Sequence, residues 1–291
     1  MEVPTTMRAL DPEVRDAIWA AVRALIPVPP RTHPLGCHRR RARDRDCFDV
    51  MLVRLATGCS WEDAERLCGA KVSDTTVRTR RDEWTEAGVF DLLVNEALTA
   101  YDKVIGLDLT DAAVDGSLHK SPCGGEGTGK NPTDRAKLGW TWSILTDTRG
   151  IPIGWTIDGA NRNDSILLAP TLDDAAHRGL LGDIETLWLD RGYDSAATRE
   201  RLVERSPTDA VIAKRRARGD TGPKTKTLPI GLRWPVERTN SWLSNFGQLR
   251  RNTDRRPVHR LAQFALAAVC LLTAKLIDWR NRWSPIPAPI R

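Results

Sequence analysis

Apolar residues recur at helical spacing through the first part of the chain. Ile18 and Val22 follow at core spacing behind Asp11, which can cap a helix, and Pro12, which suits its first turn. Apolar residues at helical spacing continue to about residue 100. The pattern therefore predicts an all-helical domain over residues 1–100.

Two capped helices joined by a short turn lie within this domain. Ser60 precedes the segment 61–68, Ser73 precedes 74–87, and a glycine turn at 69–72 separates them. This arrangement predicts a helix-turn-helix. Small polar and basic side chains on the second helix suit a DNA groove, although a plain helical hairpin with a polar outer face fits equally well. Those side chains are Thr75, Thr76, Arg78, Thr79, Arg80 and Arg81.

After residue 100 the spacing changes to short apolar runs separated by turns. Strands are predicted at 104–115, 140–146, 153–157, 185–190 and 209–213, and helices at 163–177, 195–206, 234–246 and 257–279. Three strands in succession, followed by alternating helices and strands, predict a mixed sheet with helices on its faces. We therefore expect an α/β domain of ribonuclease-H-like layout over residues 101–291.

Positive charge is concentrated in one stretch of the chain. The net charge is +6, whereas residues 211–260 hold 13 Lys and Arg against 3 Asp and Glu, a balance of +10 that leaves −4 elsewhere. A surface of one sign repels itself unless a polyanion offsets it. The expected partner of this stretch is therefore DNA or RNA.

The cysteines and the hydropathy of the chain indicate its cellular location. None of the six cysteines forms a Cys-x-x-Cys pair, and the first ten residues are polar, so reduced thiols in a cytoplasmic protein are expected. The longest apolar run, 264–277, is short for a membrane span and contains Lys275. The sequence predicts a buried helix there and no membrane partner.

Two acids stand where an apolar strand is predicted to end. Asp115 follows the run 104–114, and Asp190 follows 187–189. Ligands of α/β sheets usually bind beyond the carboxyl ends of strands. Cutting a phosphodiester bond requires activation of the attacking oxygen and a countercharge on the leaving oxygen, and two divalent cations held by carboxylates supply both.

Glu237 is the only Glu in the basic stretch 211–260. An acid among cations weakens DNA binding unless it has another role, and metal binding is one such role. A simple ion pair with Arg233 or Arg238 is an equal alternative.

The other acids of this domain have simpler interpretations. Asp164 fits a helix cap, Asp147 fits a turn, and Asp173 fits a solvated helix face. None of them combines an apolar strand before it with small residues after it, as Asp115 and Asp190 nearly do.

Three segments together resemble one known family. They are Ala113-Val-Asp-Gly-Ser117, Asp190-Arg-Gly-Tyr-Asp194 and Arg233-Trp-Pro-Val-Glu-Arg-Thr239. This set resembles the bacterial insertion-sequence transposases of the DDE superfamily, in the group named after insertion sequences four and five. The resemblance covers residues 105–278 as a catalytic domain and residues 10–90 as the helical domain before it.

That resemblance implies a ribonuclease-H-like fold with Mg²⁺ or Mn²⁺ as cofactor and Asp115, Asp190 and Glu237 as catalytic metal ligands. It implies hydrolysis at the ends of a mobile element, followed by attack of the freed 3′-hydroxyl on target DNA. The implied partners are double-stranded DNA, both terminal inverted repeats and target, and further copies of the chain in a homo-oligomer at the nucleoid.

Several cations are expected to contact that DNA. Arg233 occupies the arginine position of the family's tyrosine-arginine-glutamate-lysine signature, whereas Ile230 and Ser244 stand at its tyrosine and lysine positions. Arg250 or Arg251 is a candidate for the missing lysine. The remaining expected contacts are Arg238, Lys130 in the glycine-rich loop 118–137, and Arg78 and Arg81 of the helix-turn-helix. Trp234 and Trp242 are expected in the core, with base stacking as the alternative.

Two other classes of function stay open. A non-catalytic, sequence-specific DNA-binding protein derived from a transposase would share the helix-turn-helix and the basic stretch. A nuclease of the same fold would cut DNA without joining it. All three acids stand in otherwise matching segments, which favours an active transposase.

Overall fold

The computed structural model describes residues 8–28, 41–205, 209–212 and 230–283, with the side chains of 204, 205, 209 and 230–233 outside the description. Part of the basic stretch, residues 213–229, therefore lies outside the described residues. The chain forms two compact units, Leu107–Phe264 and Met1–Gly106 with Ala265–Arg291.

The first unit is helical. Its helices are α1 (Pro12–Leu25), α2 (Asp44–Thr57), α3 (Trp61–Leu67), α4 (Asp74–Glu86), α5 (Val89–Val104) and the part of α10 (Pro257–Trp283) from residue 265 onward. The side chains of Asp11, Ser60 and Ser73 cap α1, α3 and α4 by accepting backbone N–H groups. These bonds satisfy donors that a helix start leaves unpaired. The prediction of a helical amino-terminal part is confirmed.

A tight turn joins α3 to α4. The chain passes through Gly69 at φ +77° and Ala70 at φ +50° before the cap of α4. Both helices pack against α2, and Val77 and Trp84 of α4 are buried there. The turn agrees with a helix-turn-helix, and a groove-reading role for α4 stays a prediction.

The second unit contains the sheet. Its strands are β1 (Asp111–Lys120), β2 (Gly129–Lys130), β3 (Leu138–Thr146), β4 (Pro152–Gly159), β5 (Thr186–Leu189) and β6 (Asp209–Ile212). Its helices are α6 (Asp164–His177), α7 (Ala196–Arg205), α8 (Ile230–Ser244), α9 (Gly247–Arg250) and the beginning of α10.

The strand order identifies the fold. The sheet runs β4-β3-β1-β5-β6, with the short β2 pairing beside β4 along the same strand β3. β3 is antiparallel to both β1 and β4, whereas β5 and β6 continue from β1 in parallel. Three antiparallel strands followed by two parallel ones, in the order 3-2-1-4-5 of the five longer strands, form a ribonuclease-H-like sheet. The predicted fold class is confirmed.

Two predicted element bounds were wrong. The strand predicted at 104–115 begins at Asp111, because α5 runs to Val104, and it continues to Lys120. His119 and Lys120 pair with β3, so tertiary pairing keeps polar residues in a strand where the sequence indicated a loop. The helix predicted from residue 234 begins at Ile230, so Pro235 lies inside α8.

One helix, α10, is long and apolar enough to cross a membrane by length and composition. A core helix passes the same test, and 72% of its most apolar 18-residue window is buried in this structure. The described cysteines, Cys47, Cys59, Cys68, Cys123 and Cys270, are free thiols, as expected, and Cys37 lies outside the described residues.

Candidate active site

The parallel pairing of β1 and β5 brings two of the predicted acids together. The register ends at Val114 opposite Leu189, and Asp115 and Asp190 are the next residues on the two strands. Neighbouring strands lie about 4.8 Å apart, so the two backbones are adjacent. Asp190 ends its strand as expected, whereas Asp115 lies inside β1.

The carboxylate of Asp115 is partly buried and held by an amide. Its Oδ2 accepts a hydrogen bond of 2.9 Å from Nδ2 of Asn240 on α8. Burial raises the pKa of Asp115 to about 6; the N–H of Gly116 and Asn240 oppose the rise, while the carboxylates of Asp164 and Glu237 add to it. The site is therefore an acidic cluster in which like charges face one another.

Helix α8 carries Glu237 toward this cluster. The helix packs on β1 and β3, and Glu237 lies three residues before Asn240 on the same helical face. Glu237 is exposed, and its charge acts on Asp115. The structure thus brings Glu237 into electrostatic range of Asp115, although the two are 122 positions apart in the sequence.

Asp164 is an acid that the sequence interpretation missed. Asn163 caps α6 by accepting the N–H of Ser165 at 3.0 Å, so Asp164 is not needed as the cap. A Cβ placed on Gly116 would lie only 2.6 Å from Oδ1 of Asp164, which shows how closely this carboxylate approaches β1. Burial and the charge of Asp190 raise the pKa of Asp164. Adjacent Asn163 and Asp164 were the available signal, because a helix needs one N-cap.

Tyr193, from the second family-like segment, borders the cluster from the interior. It is 3% exposed, and burial raises the pKa of its hydroxyl, as do the nearby carboxylates of Asp164 and Asp115. That hydroxyl has no hydrogen-bond partner of ordinary geometry among the described residues. The cluster therefore has a buried inner wall.

The donor chemistry fits Mg²⁺ or Mn²⁺. Asp115, Asp164, Asp190 and Glu237 offer carboxylate oxygens, the ligands that these hard cations prefer. A cation would also offset the repulsion from Asp164 and Glu237, which adds to the effect of burial on the pKa of Asp115. Across residues 8–28, 41–205, 209–212 and 230–283, no three His, Cys, Asp or Glu side chains are already placed for joint ligation. The carboxylates would have to turn inward around a cation.

Arg238, the residue after Glu237 on α8, packs against two tryptophan rings. The guanidinium of Arg238 lies 4.3 Å from the ring centre of Trp234 and 4.6 Å from that of Trp242, and donates to the carbonyl of Arg149 at 2.6 Å. Trp234 is 57% exposed, so its expected place in the core was wrong. The side chain of Arg233 lies outside the described residues.

The other predicted DNA contacts of this unit lie at the surface. Lys130 on β2, Arg250 on α9 and the adjacent Arg251 are exposed. Arg251 forms a backbone bridge to Lys120, the last residue of β1, which is also exposed. This bridge places the exposed cations Lys120 and Arg251 next to each other where β1 ends.

The glycine-rich loop beside Lys130 has an ordered backbone. Arg260 is fully buried, and its guanidinium donates to the carbonyl groups of Glu126 at 2.6 Å and Gly124 at 3.2 Å. A buried arginine bonded to several carbonyls holds the loop in one conformation.

The two arginines predicted on the helix-turn-helix differ in exposure. Arg78 is exposed on α4 and pairs with Asp74 one turn before it. Arg81 is 8% exposed and packs its guanidinium over the ring of Trp61 at 5.3 Å. The predicted DNA contact of Arg81 is untested, and its burial does not favour that contact.

Two family models match the chain. Residues 14–94 match the family described as "Putative transposase of IS4/5 family", and residues 104–273 match the family described as "Transposase DDE domain". The second match spans more than half of the chain.

Two proteins of Burkholderia cepacia are similar in sequence. The "Putative transposase for insertion sequence element IS402" is 42% identical over 135 residues, which is 44% of this chain and 60% of that relative. The "Insertion element IS402 uncharacterized 16.2 kDa protein" is 32% identical over 123 residues, which is 42% of this chain and 82% of that relative. The chain thus aligns with three fifths of the length of the first relative.

Solved structures of two transposases are similar at low sequence identity. The piggyBac transposase in a synaptic complex with hairpin DNA is 12% identical with a TM-score of 0.42, covering 98% of this chain and 82% of that chain. The Mos1 transposase in a pre-cleavage transpososome is 11% identical with a TM-score of 0.25, covering 89% and 84%. The strand order and pairing alone identify the ribonuclease-H-like sheet.

Proposed function

The chain belongs to the family of transposases with a DDE domain, and on this premise we propose that it cuts DNA at the ends of an insertion element and joins the freed 3′ ends to target DNA. The observation that carries the proposal is the β1–β5 register, which sets Asp115 beside Asp190. The electrostatic effect of Glu237 on Asp115 supports the third member of the site.

In this proposal Asp115, Asp190 and Glu237 hold Mg²⁺ or Mn²⁺. Such cations, when bound, activate the attacking oxygen and neutralise the leaving oxygen of the phosphodiester. Asp164, which approaches the backbone at Gly116, adds to the negative field that attracts a cation. The buried inner wall at Tyr193 limits screening of that field by water.

The proposed DNA path follows one partly exposed cation and three exposed ones. Arg238, with the exposed Trp234 beside it, contacts the strand near the acids, and Lys130, Arg250 and Arg251 contact the backbone farther along. Arg233 is proposed to contact a phosphate near the cut, and Arg78 contributes from α4. Cutting two ends of one element together calls for a homo-oligomer on the DNA.

The test is a cleavage and joining assay on plasmid DNA that carries the sequences flanking the coding region. We expect Asp190→Asn and Glu237→Gln each to lower both rates at least about 100-fold in Mg²⁺ or Mn²⁺, because each removes a charged ligand without changing shape. Asp183→Asn is the matched control, since Asp183 is exposed and lies just before β5.

Three outcomes separate the candidate functions. Wild-type rates in either acidic-site variant would make the metal assignment wrong. Sequence-specific binding by the wild type without cutting would favour the non-catalytic DNA-binding alternative. Cutting without joining would favour a nuclease.

A further inference from the structure

Two consecutive hydrogen bonds connect a buried tryptophan to the carboxylate of Asp115. The indole Nε1–H of Trp142 on β3 donates to Oδ1 of Asn240 at 2.8 Å. The Nδ2 group of Asn240 then donates to Oδ2 of Asp115 at 2.9 Å. One amide on α8 therefore connects two neighbouring strands.

The direction of these two hydrogen bonds is fixed because the indole N–H of Trp142 can only donate. An indole N–H can only donate, so the atom of Asn240 that faces Trp142 must be the carbonyl oxygen. Rotating the amide by 180° would set its NH₂ against the indole N–H and its oxygen against the carboxylate. Both contacts would be repulsive, so Trp142 fixes which end of Asn240 faces Asp115.

Trp142 itself has little freedom to move. It is fully buried, its ring stacks on His119 with centres 3.6 Å apart, and Phe264 meets it edge-on at 5.3 Å. Asn240 is 7% exposed, so water does not readily replace either partner. The donor aimed at Asp115 is thus anchored through a close-packed aromatic group.

The same amide is linked to the third acid. Asn240 and Glu237 lie three residues apart on one face of α8, so bonding Asn240 to β1 and β3 sets the rotation of that helix. This rotation decides how close Glu237 can come to Asp115.

We propose that Asn240, oriented by Trp142, is a positioning residue that holds the Asp115 carboxylate ready for the divalent cation and sets its spacing from Glu237. The inference rests on the proposed metal-dependent function. Neither residue touches the cation or DNA in this proposal, and both act through Asp115 and the placement of α8.

A matched pair of tryptophans on β3 allows a sharp test. Trp142→Phe removes the N–H that orients Asn240, while Trp140→Phe removes an N–H that has no hydrogen-bond partner among the described residues. Both tryptophans are fully buried and both change to the same smaller ring, so Trp140→Phe controls for the loss of buried volume.

The first measurement is the affinity of the full chain for Mn²⁺, followed by electron paramagnetic resonance. No DNA is present, and Mn²⁺ is the only metal added. We expect Asn240→Ala to weaken Mn²⁺ binding at least about 10-fold and Trp142→Phe to weaken it several-fold, as for other partners of metal ligands. Trp140→Phe should stay within about twofold, and the double variant Trp142→Phe/Asn240→Ala should bind no more weakly than Asn240→Ala alone.

The second measurement needs no metal. In the NMR spectrum of the ¹⁵N-labelled protein, Asn240→Ala should shift the indole N–H signal of Trp142 and leave that of Trp140 in place. An unmoved Trp142 signal, or equal Mn²⁺ affinities for Trp142→Phe and Trp140→Phe, would overturn the positioning role. A wild type that binds no Mn²⁺ in an Asp115-dependent way, but shows the Trp142 shift, would instead overturn the proposed function.

Discussion

Two buried aspartates of the second unit have the same raised pKa in opposite surroundings. Burial raises the pKa of both Asp115 and Asp147 to about 6. Asp147 is 1% exposed and accepts backbone N–H groups from Ile151 at 2.6 Å, Arg149 at 3.0 Å and Asp108 at 3.2 Å. The nearby charge of Arg149 also lowers its pKa, whereas the charges near Asp115 raise the pKa of that group.

A raised pKa alone does not mark a functional acid. Asp147 has a complete shell of donors, so its role is to close the turn between β3 and β4. Asp115 has one amide and one backbone donor, and it faces Asp164 and Glu237. The sign of the neighbouring charges, rather than the size of the pKa shift, distinguishes a site that a cation would complete.

The largest effect should come from removing the structural aspartate. Asp147→Ala leaves buried N–H groups without an acceptor, so we expect the free energy of unfolding to fall by about 2–3 kcal/mol. Urea unfolding measures this change. Cleavage per folded molecule at a temperature well below the transition should stay near the wild-type value. A stable but inactive Asp147→Ala variant would break the distinction between the two aspartates.

Asp115 should make the protein less stable as the pH rises, whereas an aspartate in an ion pair makes a protein more stable as the pH rises. The pKa of Asp115 is about 6 in the folded chain, above that of an unfolded aspartate at about 4. Its contribution to stability is therefore fully present below about pH 4 and is lost as the pH rises through 6. Asp115→Asn should remove this loss, making the variant more stable than the wild type by about 2 kcal/mol at pH 7 and equally stable near pH 4.

Mg²⁺ provides the control for that experiment. Added Mg²⁺ should raise the melting temperature of the wild type at pH 7 and leave that of Asp115→Asn nearly unchanged, because only the charged form binds the cation. Equal pH profiles for wild type and variant without metal would show that burial and the neighbouring carboxylates do not raise the pKa of Asp115 in the folded chain.

The smallest effect should come from crowding Asp164. Gly116→Ala places a methyl carbon only 2.6 Å from Oδ1 of Asp164, and this flexible side chain can move away at little cost in stability. We expect Mn²⁺ affinity and cleavage rate to fall about 10-fold, as for other disturbances beside a metal site. Gly182→Ala is the control, because its added Cβ meets nothing within 4 Å. Unchanged Mn²⁺ affinity in Gly116→Ala would remove Asp164 from the site.

Much of the candidate site was predictable because its acids stand in recognisable local patterns. Asp190 directly follows a short apolar strand, and Glu237 is the lone Glu of the basic stretch. Asp164 was missed because an acid at a helix start has an adequate local explanation. Asn240 and Trp142 were missed because nothing in their own segments indicates that they share a hydrogen bond.

Local sequence patterns predicted the helical amino-terminal part, most of the succession of strands and helices, and the three capped helix starts. They also marked Asp115, Asp190 and Glu237 as candidate metal ligands, which stays a prediction. These features depend on hydrophobic periodicity and capping, which act over a few residues. Only the tertiary structure decided that β1 continues to Lys120, that Asp164 presses against Gly116, and that Trp142 aims Asn240 at Asp115. Those features depend on strand register and on pairs far apart in the chain, and local sequence carries no record of which distant residue completes a hydrogen bond.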